Sequence, residues 1–439
     1  MSQKGPYRAQ SGGAAGTAVA APSIARRKSS SAQRREQIRK HPIRSGLLLL
    51  LAAMVLLYPF IDEAFQFRKI TTVIPLLVYM ILALGLNIVV GYAGLLDLGY
   101  AAFFAIGAYV AGFMTSPLSF LNANGMQWYS NFWVALIAAF LVSIMAGMIL
   151  GAPTLRLRGD YLAIVTLGFG EIVPVLFRNA DAITYGEKGL SAIQKPAVHL
   201  GPINFEIGAG PVFGLGDWSS QMPWYYFMLV LGILCILGSQ RLYDSRVGRA
   251  WMAMREDEIA ASAMGINLVT TKLSAFAMGA SLSGVAGATF GAYIGSIFPS
   301  QFEFGLSVIL LCAVILGGLG NIWGVILGGF IIQSFDRILA PELTNFLKGV
   351  GTKNHIEFLA TIELSNWRYF IFGAALVIMM LARPQGLLPN RRRAAELKAG
   401  LEADPTDIHD PFEPTPEEQQ ERQQLYDVRE LDKSPEEDR

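Results

Sequence analysis

The most constraining feature of this sequence is a series of long runs of apolar residues. Gly46–Ile61 and Phe132–Gly151, for example, contain no charged side chain. Because an α-helix rises about 1.5 Å per residue, about 20 apolar residues are enough to cross a hydrocarbon core about 30 Å thick. Of the 439 residues, 53% are apolar and only 16% are charged. The sequence therefore predicts an all-α, polytopic bundle of transmembrane helices.

The apolar runs predict about ten spanning helices between two polar tails. The tails, basic residues 1–45 and acidic residues 391–439, are predicted to be disordered and cytoplasmic. Residues 46–390 form the predicted transmembrane domain, which includes two longer polar connections, 178–222 and 340–368. The predicted spans are residues 46–61, 70–90, 98–116, 132–151, 161–177, 223–240, 273–296, 305–319, 322–339 and 369–382.

Basic residues in the short loops indicate how the chain is oriented. Cytoplasmic loops are enriched in Lys and Arg, and loops 152–160 and 241–272 carry several of them. Loops 117–131 and 297–304 carry none. With an even number of spans, both ends of the chain are predicted to be cytoplasmic (N-in, C-in). Both longer polar connections then lie outside, and the predicted location is a plasma membrane.

Composition and motifs exclude several other classes of function. The 35 basic residues are balanced by 34 acidic ones, which leaves no excess of positive charge to bind nucleic acid. The four histidines and two cysteines are scattered and predict neither a metal site nor a disulfide framework. No lysine follows a glycine, so the Gly-Lys-Ser/Thr core of a P-loop is missing and this chain cannot bind ATP by that device. If its function is driven by ATP, the nucleotide must bind to another chain. The predicted spans contain no nucleophile–base pair that would indicate an enzyme, and no cofactor is predicted.

Glycines interrupt the apolar pattern at two places. The first glycine-broken segment is Gly91–Gly99 (GYAGLLDLG) and the second is Gly317–Asn321 (GGLGN). Transporters often bind substrate where spanning helices are broken, because the freed backbone groups become ligands. Two ordinary tight turns at the membrane surface are the alternative. The candidate pathway residues in these segments are Gly91, Gly94, Asp97, Gly317, Gly320 and Asn321.

Two acidic residues, Asp97 and Glu171, lie within or beside the predicted spans. A charged side chain at the centre of a bilayer costs about 2.5–3.5 kcal/mol on insertion scales. Either carboxylate could bind a substrate ammonium group, relay a proton, or pair with a base between helices. The alternative is a structural hydrogen bond to a neighbouring helix end. If both residues were proton or sodium sites, the chain would be a self-sufficient ion-coupled transporter.

Glycines at four-residue spacing predict close packing of helices. Gly287, Gly291 and Gly295 fall on one face of a predicted span. In lipid, such a face lets two helix backbones approach closely, because apolar burial gives little drive for association there. The alternative is a functional role, in which this helix face slides or lines a path through the bundle.

Loop 241–272 contains a segment that is typical of a short helix closed by glycine, Arg255–Gly265. Its acids lie at the N-terminal end, where the helix dipole favours them. Ala260, Ala261 and Met264 form one small apolar face. Such a helix on the cytoplasmic surface could dock into a groove of another protein.

This segment resembles the coupling loop of ABC importer permeases, in which Glu-Ala-Ala is followed by three residues and then Gly. Ala260, Ala261 and Gly265 keep that spacing. Ile259 holds the position of the Glu, and Glu258 lies one place earlier. The resemblance implies that Glu258, Ala260, Ala261 and Gly265 couple the chain to an ATPase.

Four longer blocks add to this resemblance: Gly91–Gly112, Leu155–Ile172, Arg246–Ile266 and Leu316–Gly329. They resemble the permease subunits of branched-chain amino-acid ABC transporters, and in particular the M-type of the two paired Liv permeases. The resemblance covers about residues 70–390 and implies ATP-driven import of leucine, isoleucine or valine across a bacterial inner membrane. The implied partners are a second homologous permease, cytoplasmic ATP-binding subunits and an external solute-binding protein.

One short motif of the family differs in this chain. The family pattern Thr-Gly-Gly followed by Gly-Leu corresponds to Thr184–Leu190, with Tyr185 in place of a glycine. Related members of the family carry urea or short amides, so these remain alternative substrates. Both tails lie outside the resemblance.

Overall fold

A computed structural model describes residues 42–66, 69–120, 131–154, 160–200, 203–208, 221–354, 361, 363–383 and 385–388. The chain divides into two compact units after Ala64. The first contains helix α1, and the second contains every other helix and strand. The acidic tail 391–439 and nearly all of the basic tail 1–45 lie outside the described residues.

Helices account for most of the described chain, and the four strands are short. The helices are α1 (Pro42–Ala64), α2 (Ile70–Leu86), α3 (Tyr100–Thr115), α4 (Phe132–Thr154), α5 (Asp160–Asn179), α6 (Asp181–Thr184), α7 (Met222–Tyr243), α8 (Arg246–Glu256), α9 (Glu258–Ala263), α10 (Leu268–Ile294), α11 (Phe304–Gly317), α12 (Ile322–Ser334), α13 (Ala340–Lys353) and α14 (Arg368–Ala382). The strands are β1 (Leu190–Ser191), β2 (Ala197–Leu200), β3 (Ile203–Glu206) and β4 (Ser296–Ile297).

Eight helices of the described residues are long and apolar enough to cross a membrane. They are Ile70–Tyr92, Phe132–Pro153, Tyr161–Asn179, Met222–Tyr243, Leu268–Ile294, Pro299–Gly317, Ile322–Lys353 and Leu364–Ala382. The apolar helix Tyr100–Thr115 is shorter, at 16 residues, and Pro42–Ala64 has 23. The all-α, polytopic fold is thus confirmed, whereas the number of ten spans and the N-in, C-in orientation stay predictions.

One predicted span is much longer than its sequence pattern indicated. Residues 322–353 form a continuous helix of 32 residues, so the connection predicted to begin at residue 340 is helical up to Lys353. A π-helical turn, Phe335–Leu339, joins α12 to α13. Pro341 follows this turn and cannot donate a backbone hydrogen bond. The wider turn keeps the helix continuous ahead of the proline.

Polar side chains cap the helices that begin near loop 241–272 and near the second glycine-broken segment. Ser245 accepts a hydrogen bond from the Gly248 N–H and so caps α8. Asn267 caps α10 by accepting hydrogen bonds from the Val269 and Thr270 N–H groups. Asn321 caps α12 by accepting one from the Trp323 N–H. Such caps satisfy donors that the helix itself leaves free.

Helix α10 lies at the centre of the second unit and packs against α2, α3 and α4. Its small residues allow backbone contact with α3. A Cβ atom on Gly287 would lie 2.7 Å from the Ala108 nitrogen and would also overlap the Phe104 carbonyl oxygen. Gly107 and Gly284 face each other in the same way. The close packing predicted at Gly287 is confirmed.

Two antiparallel strand pairs organise the connection 178–222. Strand β1 pairs with β4, with Leu190 opposite Ile297. This pairing ties the connection to the turn that follows α10. Strands β2 and β3 form a hairpin within the connection.

Candidate functional site

Helix α9 is the short helix that the sequence predicted in loop 241–272, and it spans Glu258–Ala263 rather than starting at Arg255. Asp257 ends α8 and begins α9, because its carboxylate accepts hydrogen bonds from the Ile259 and Ala260 N–H groups at 2.7 and 3.0 Å. This cap separates the two helices at a bend, which places Arg255 on α8.

Gly265 closes α9 in a Schellman motif. Its N–H donates to the Ser262 carbonyl, and the Ile266 N–H donates to the Ala261 carbonyl. The φ angle of Gly265 is +85°, a conformation that L-residues with a side chain rarely adopt. The positive φ angle at the end of α9 therefore explains why glycine is favoured at position 265.

The exposed apolar surface of α9 differs from the predicted face. Ala261 is buried, with 4% of its surface exposed. Ile259 and Met264 are 69% and 84% exposed, and Ala260 is exposed beside them. The surface open to another protein is therefore formed by Ile259, Ala260 and Met264, while Ala261 packs inward.

Two contacts that the sequence analysis missed fasten this region to α10. The Glu258 carboxylate forms a 2.8 Å ion pair with Lys272, whose side chain is only 6% exposed. The Trp251 indole of α8 is fully buried and donates to the Thr271 carbonyl oxygen and the Ser274 hydroxyl, both at 3.0 Å. Helices α8 and α9 are therefore attached to α10 at separate points.

Arg255, at the end of α8, connects this region to the first glycine-broken segment. Its guanidinium donates a 2.6 Å hydrogen bond to the Gly91 carbonyl oxygen. Its aliphatic carbons cover Gly94, where a Cβ atom would lie 2.6 Å from the Arg255 Cγ. Gly94 also has a φ angle of +71°. Gly94 is thus needed both for the turn and for the approach of the arginine.

Asn87 joins the two glycine-broken segments. Its amide oxygen accepts a 2.9 Å hydrogen bond from the Gly320 N–H across 233 positions of sequence. Gly91 packs at the same point, since a Cβ atom there would lie 2.7 Å from the Gly320 nitrogen. Asn87 belongs to the π-helical turn that extends α2. A lone amide within an apolar run is the signal that could have identified it.

The second segment forms a tight turn between α11 and α12. Gly317 packs against the backbone of Gly324 on the facing helix. Asn321 caps α12 with its amide oxygen and donates through its Nδ2 to the Leu388 carbonyl oxygen at 2.9 Å. The Leu388 N–H in turn donates to the Gly317 carbonyl oxygen. Gly317, Gly320 and Asn321 therefore form a closed turn.

Asp97 is buried, with 1% of its surface exposed, and lies just before the N-terminus of α3. Its Oδ1 accepts a 2.9 Å hydrogen bond from the Gly99 N–H. The adjoining void, bounded in part by Phe103 and Phe276, holds only about 10 Å³. That is room for about one water molecule, so the geometry matches a structural role at a helix end.

Glu171 has a different environment. It is exposed on α5 and lines a cleft of about 450 Å³ together with Arg178, Glu303 and Tyr369. Asp97 and Glu171 therefore border separate cavities, and the structure does not bring them together.

Tyr185 occupies a position at which glycine is conformationally favoured. Its φ angle is +61°, and Gly186 and Gly189 are left-handed as well, at +56° and +65°. The Thr184 hydroxyl donates to the Ala180 carbonyl oxygen at 2.8 Å and so fixes the start of the turn. The motif Thr184–Leu190 thus folds into a compact turn that leads into β1, with Tyr185 partly exposed.

Within the part of the chain that the structure describes, no group of three or more His, Cys, Asp or Glu side chains could hold a metal ion. The chain combines spanning helices with two glycine-broken segments in mutual contact and a short exposed helix tied to the first of them. Together these features define a polytopic helical membrane protein.

Comparisons with known proteins assign a family. The family "Branched-chain amino acid transport system / permease component" matches residues 69–381. The chain belongs to this family, and it is therefore a multi-pass membrane protein. No solved structure matches the chain.

The relatives include permease proteins named LivM and LivH. The "High-affinity branched-chain amino acid transport system permease protein LivM" of Salmonella typhimurium is 39% identical over 333 residues, which cover 74% of this chain and 71% of the relative. LivM of Escherichia coli K12 is 39% identical over 335 residues, with the same coverage. LivH of Salmonella typhimurium is 24% identical over 315 residues, covering 71% of this chain and 91% of the relative.

Proposed function

We propose that this chain is the M-type membrane-spanning half of an ATP-driven importer for branched-chain amino acids in a bacterial inner membrane. The observation that carries the proposal is the 39% identity to LivM of Escherichia coli and of Salmonella typhimurium. The fold adds support, because a bundle of spanning helices exposes a short helix, α9, whose sequence resembles a coupling loop.

The proposed assembly has several partners besides the lipid bilayer. A second homologous permease completes the membrane part, and cytoplasmic ATP-binding subunits supply hydrolysis. An external solute-binding protein delivers the amino acid. The chain itself is proposed to have no catalytic residues and no cofactor.

The proposed coupling surface is the exposed apolar patch of α9 together with the residues that shape it. Ala260 and its neighbours contact a groove of the ATPase, Ala261 seats the helix, Glu258 holds it to Lys272, and Gly265 closes it. A displacement of α9 passes through α8 and Arg255 to Gly91, and from there through Asn87 to Gly320. We propose this chain of contacts as the route from ATP hydrolysis to the spanning helices.

Reconstitution of the complete assembly in proteoliposomes tests the proposed function. We expect leucine uptake that requires ATP and the loaded binding protein, with no uptake when a non-hydrolysable ATP analogue is used. The chain alone should take up no leucine under a proton or sodium gradient. Gradient-driven uptake by the chain alone would instead favour an ion-coupled transporter, and uptake of urea or short amides without leucine would favour those substrates.

Replacing Gly265 with valine is expected to uncouple the transporter while leaving it folded. The site is open, with no atom within 4 Å of an added Cβ, but its φ of +85° is unfavourable for valine. The left-handed conformation costs about 1–2 kcal/mol per residue, so the Schellman motif should open. We expect leucine uptake per ATP hydrolysed to fall roughly fivefold, the factor that corresponds to about 1 kcal/mol.

Gly349→Val provides the matched control for this prediction. Gly349 lies on α13, also has open space around its Cα, and does not have a positive φ angle. Its uptake per ATP should stay close to that of the unaltered protein. If both variants showed the same ratio of uptake to hydrolysis, Gly265 would have no role in coupling.

A further inference from the structure

The cleft beside Glu171 is formed by one face of α5 and the beginnings of two other helices. Glu171, Pro174, Val175 and Arg178 recur at helical spacing and line it from α5. Glu303 precedes α11, and Tyr369 lies in the first turn of α14. Its volume of about 450 Å³ falls in the range of small-molecule sites, about 300–1,000 Å³.

The charged side chains of this cleft differ in how they are paired. Arg178 forms ion pairs with Glu303 at 3.2 Å and with Glu187 at 3.4 Å. The Glu171 carboxylate forms no ion pair or hydrogen bond with any other residue that the structure describes. It lies within the candidate span Tyr161–Asn179 and is nevertheless exposed. Because an unpaired carboxylate within a spanning segment is unfavourable, Glu171 calls for a cationic partner, and the residues that the structure describes do not supply one.

The rest of the cleft is apolar. Val175 and Val308 contribute branched side chains, and Phe304 and Tyr369 contribute aromatic ones. Tyr369 lies directly against Gly305, where any Cβ atom would collide with its hydroxyl. The glycine therefore lets the tyrosine ring form one wall of the cleft. A carboxylate, a guanidinium and apolar walls match the three parts of a free amino acid with an aliphatic side chain.

We propose that this cleft is a binding site on the transport path for a branched-chain amino acid. The Glu171 carboxylate accepts hydrogen bonds from the substrate ammonium group, and the Arg178 guanidinium donates to the substrate carboxylate. Val175, Val308 and Tyr369 contact the aliphatic side chain. The proposal rests on the proposed function and assigns part of its substrate path to named residues. Binding of a basic side chain from the second permease is the competing explanation for Glu171.

The test uses the complete assembly in proteoliposomes, with radiolabelled leucine delivered by the binding protein. Glu171→Gln keeps the shape of the side chain and removes its charge, whereas Glu171→Asp keeps the charge. Because a hydrogen bond to a charged group is stronger than one between neutral groups, Glu171→Gln should lower uptake about tenfold or more. Glu171→Asp should retain at least about a third of the uptake. Both variants should keep the second permease bound in unaltered amount.

Glu342→Gln is the matched control, because Glu342 is an exposed carboxylate that pairs with Lys69 and does not line the cleft. Its uptake should stay within about twofold of the unaltered protein. Uptake by Glu171→Gln within twofold would overturn the proposal, as would loss of the second permease from that variant, which would identify an ion pair between subunits. The proposed function fails separately, if the unaltered assembly takes up no leucine.

Discussion

Replacing Gly107 with valine is expected to prevent stable folding of the permease in the membrane. Gly107 lies on α3, where its backbone touches the backbone of Gly284 on α10, so a Cβ atom would overlap the Gly284 Cα. Gly284 in turn packs against Ser143 of α4, and a Cβ atom added to Gly284 would collide with the Ser143 hydroxyl. Three apolar helices, α3, α4 and α10, therefore meet at this point without room for a side chain.

The expected loss is large because helices in lipid associate mainly through close van der Waals contact. Overpacking a well-packed core costs about 1–3 kcal/mol, and here the obstacle is backbone, which cannot change rotamer. We expect the amount of monodisperse protein in size-exclusion chromatography after detergent extraction to fall about tenfold or more. The same loss should appear in pulse-chase measurements of protein half-life.

Gly232→Val on α7 is the control, since no atom lies within 4 Å of a Cβ added there. This variant should elute with a yield close to that of the unaltered protein. A normal elution profile for Gly107→Val would mean that α3 and α10 are not in backbone contact in the folded protein.

Properties that depend on local sequence could be predicted well. The lengths of the apolar runs gave the helical class, and Gly287 correctly indicated a close helix contact. Gly295, predicted on the same face, instead ends α10 with a φ of +76°. Spacing alone cannot separate a packing glycine from a capping one, because both positions favour the absence of a side chain.

The continuation of α12 into α13 was also missed from the sequence, because the local pattern there is ambiguous. Pro341 and the polar residues after it match the pattern of a loop, and hydropathy falls there. A π-helical turn allows the backbone to pass the proline without ending the helix. Nothing in a local pattern encodes that adjustment.

The candidate site was the least predictable part, because its contacts join distant positions. Asn87 and Gly320 are 233 residues apart, and Arg255 and Gly91 are 164 apart. The glycines of both segments were identified from the sequence, but Asn87 and Arg255, which contact them, were not. Asp97 and Glu171 were treated alike in the sequence, and only their burial separates a helix-end carboxylate from one that lines a cleft.

The contact of Arg255 with Gly91 leads to the second large prediction, which concerns coupling. Arg255→Ala removes the 2.6 Å hydrogen bond to the Gly91 carbonyl oxygen and uncovers Gly94. Trp251 still fixes α8 to α10, so the helix should stay in place. We expect leucine uptake by the reconstituted assembly to fall about tenfold or more, in proportion to a lost charge-assisted hydrogen bond of about 1.5–3 kcal/mol.

ATP hydrolysis should stay within about twofold in this variant, because the surface of α9 that is proposed to contact the ATPase is unchanged. Arg255→Lys, which keeps a donor, should recover part of the uptake. Arg249→Ala is the control on the same helix, since the exposed Arg249 guanidinium donates to the carbonyl oxygen of the nearby Asp244 and to no distant residue among those that the structure describes. If uptake and hydrolysis fell together in Arg255→Ala, the arginine would serve the fold of α8 rather than the transfer of motion. Loss of uptake with hydrolysis retained is expected only for a residue on the route between the surface of α9 and the glycine-broken segments.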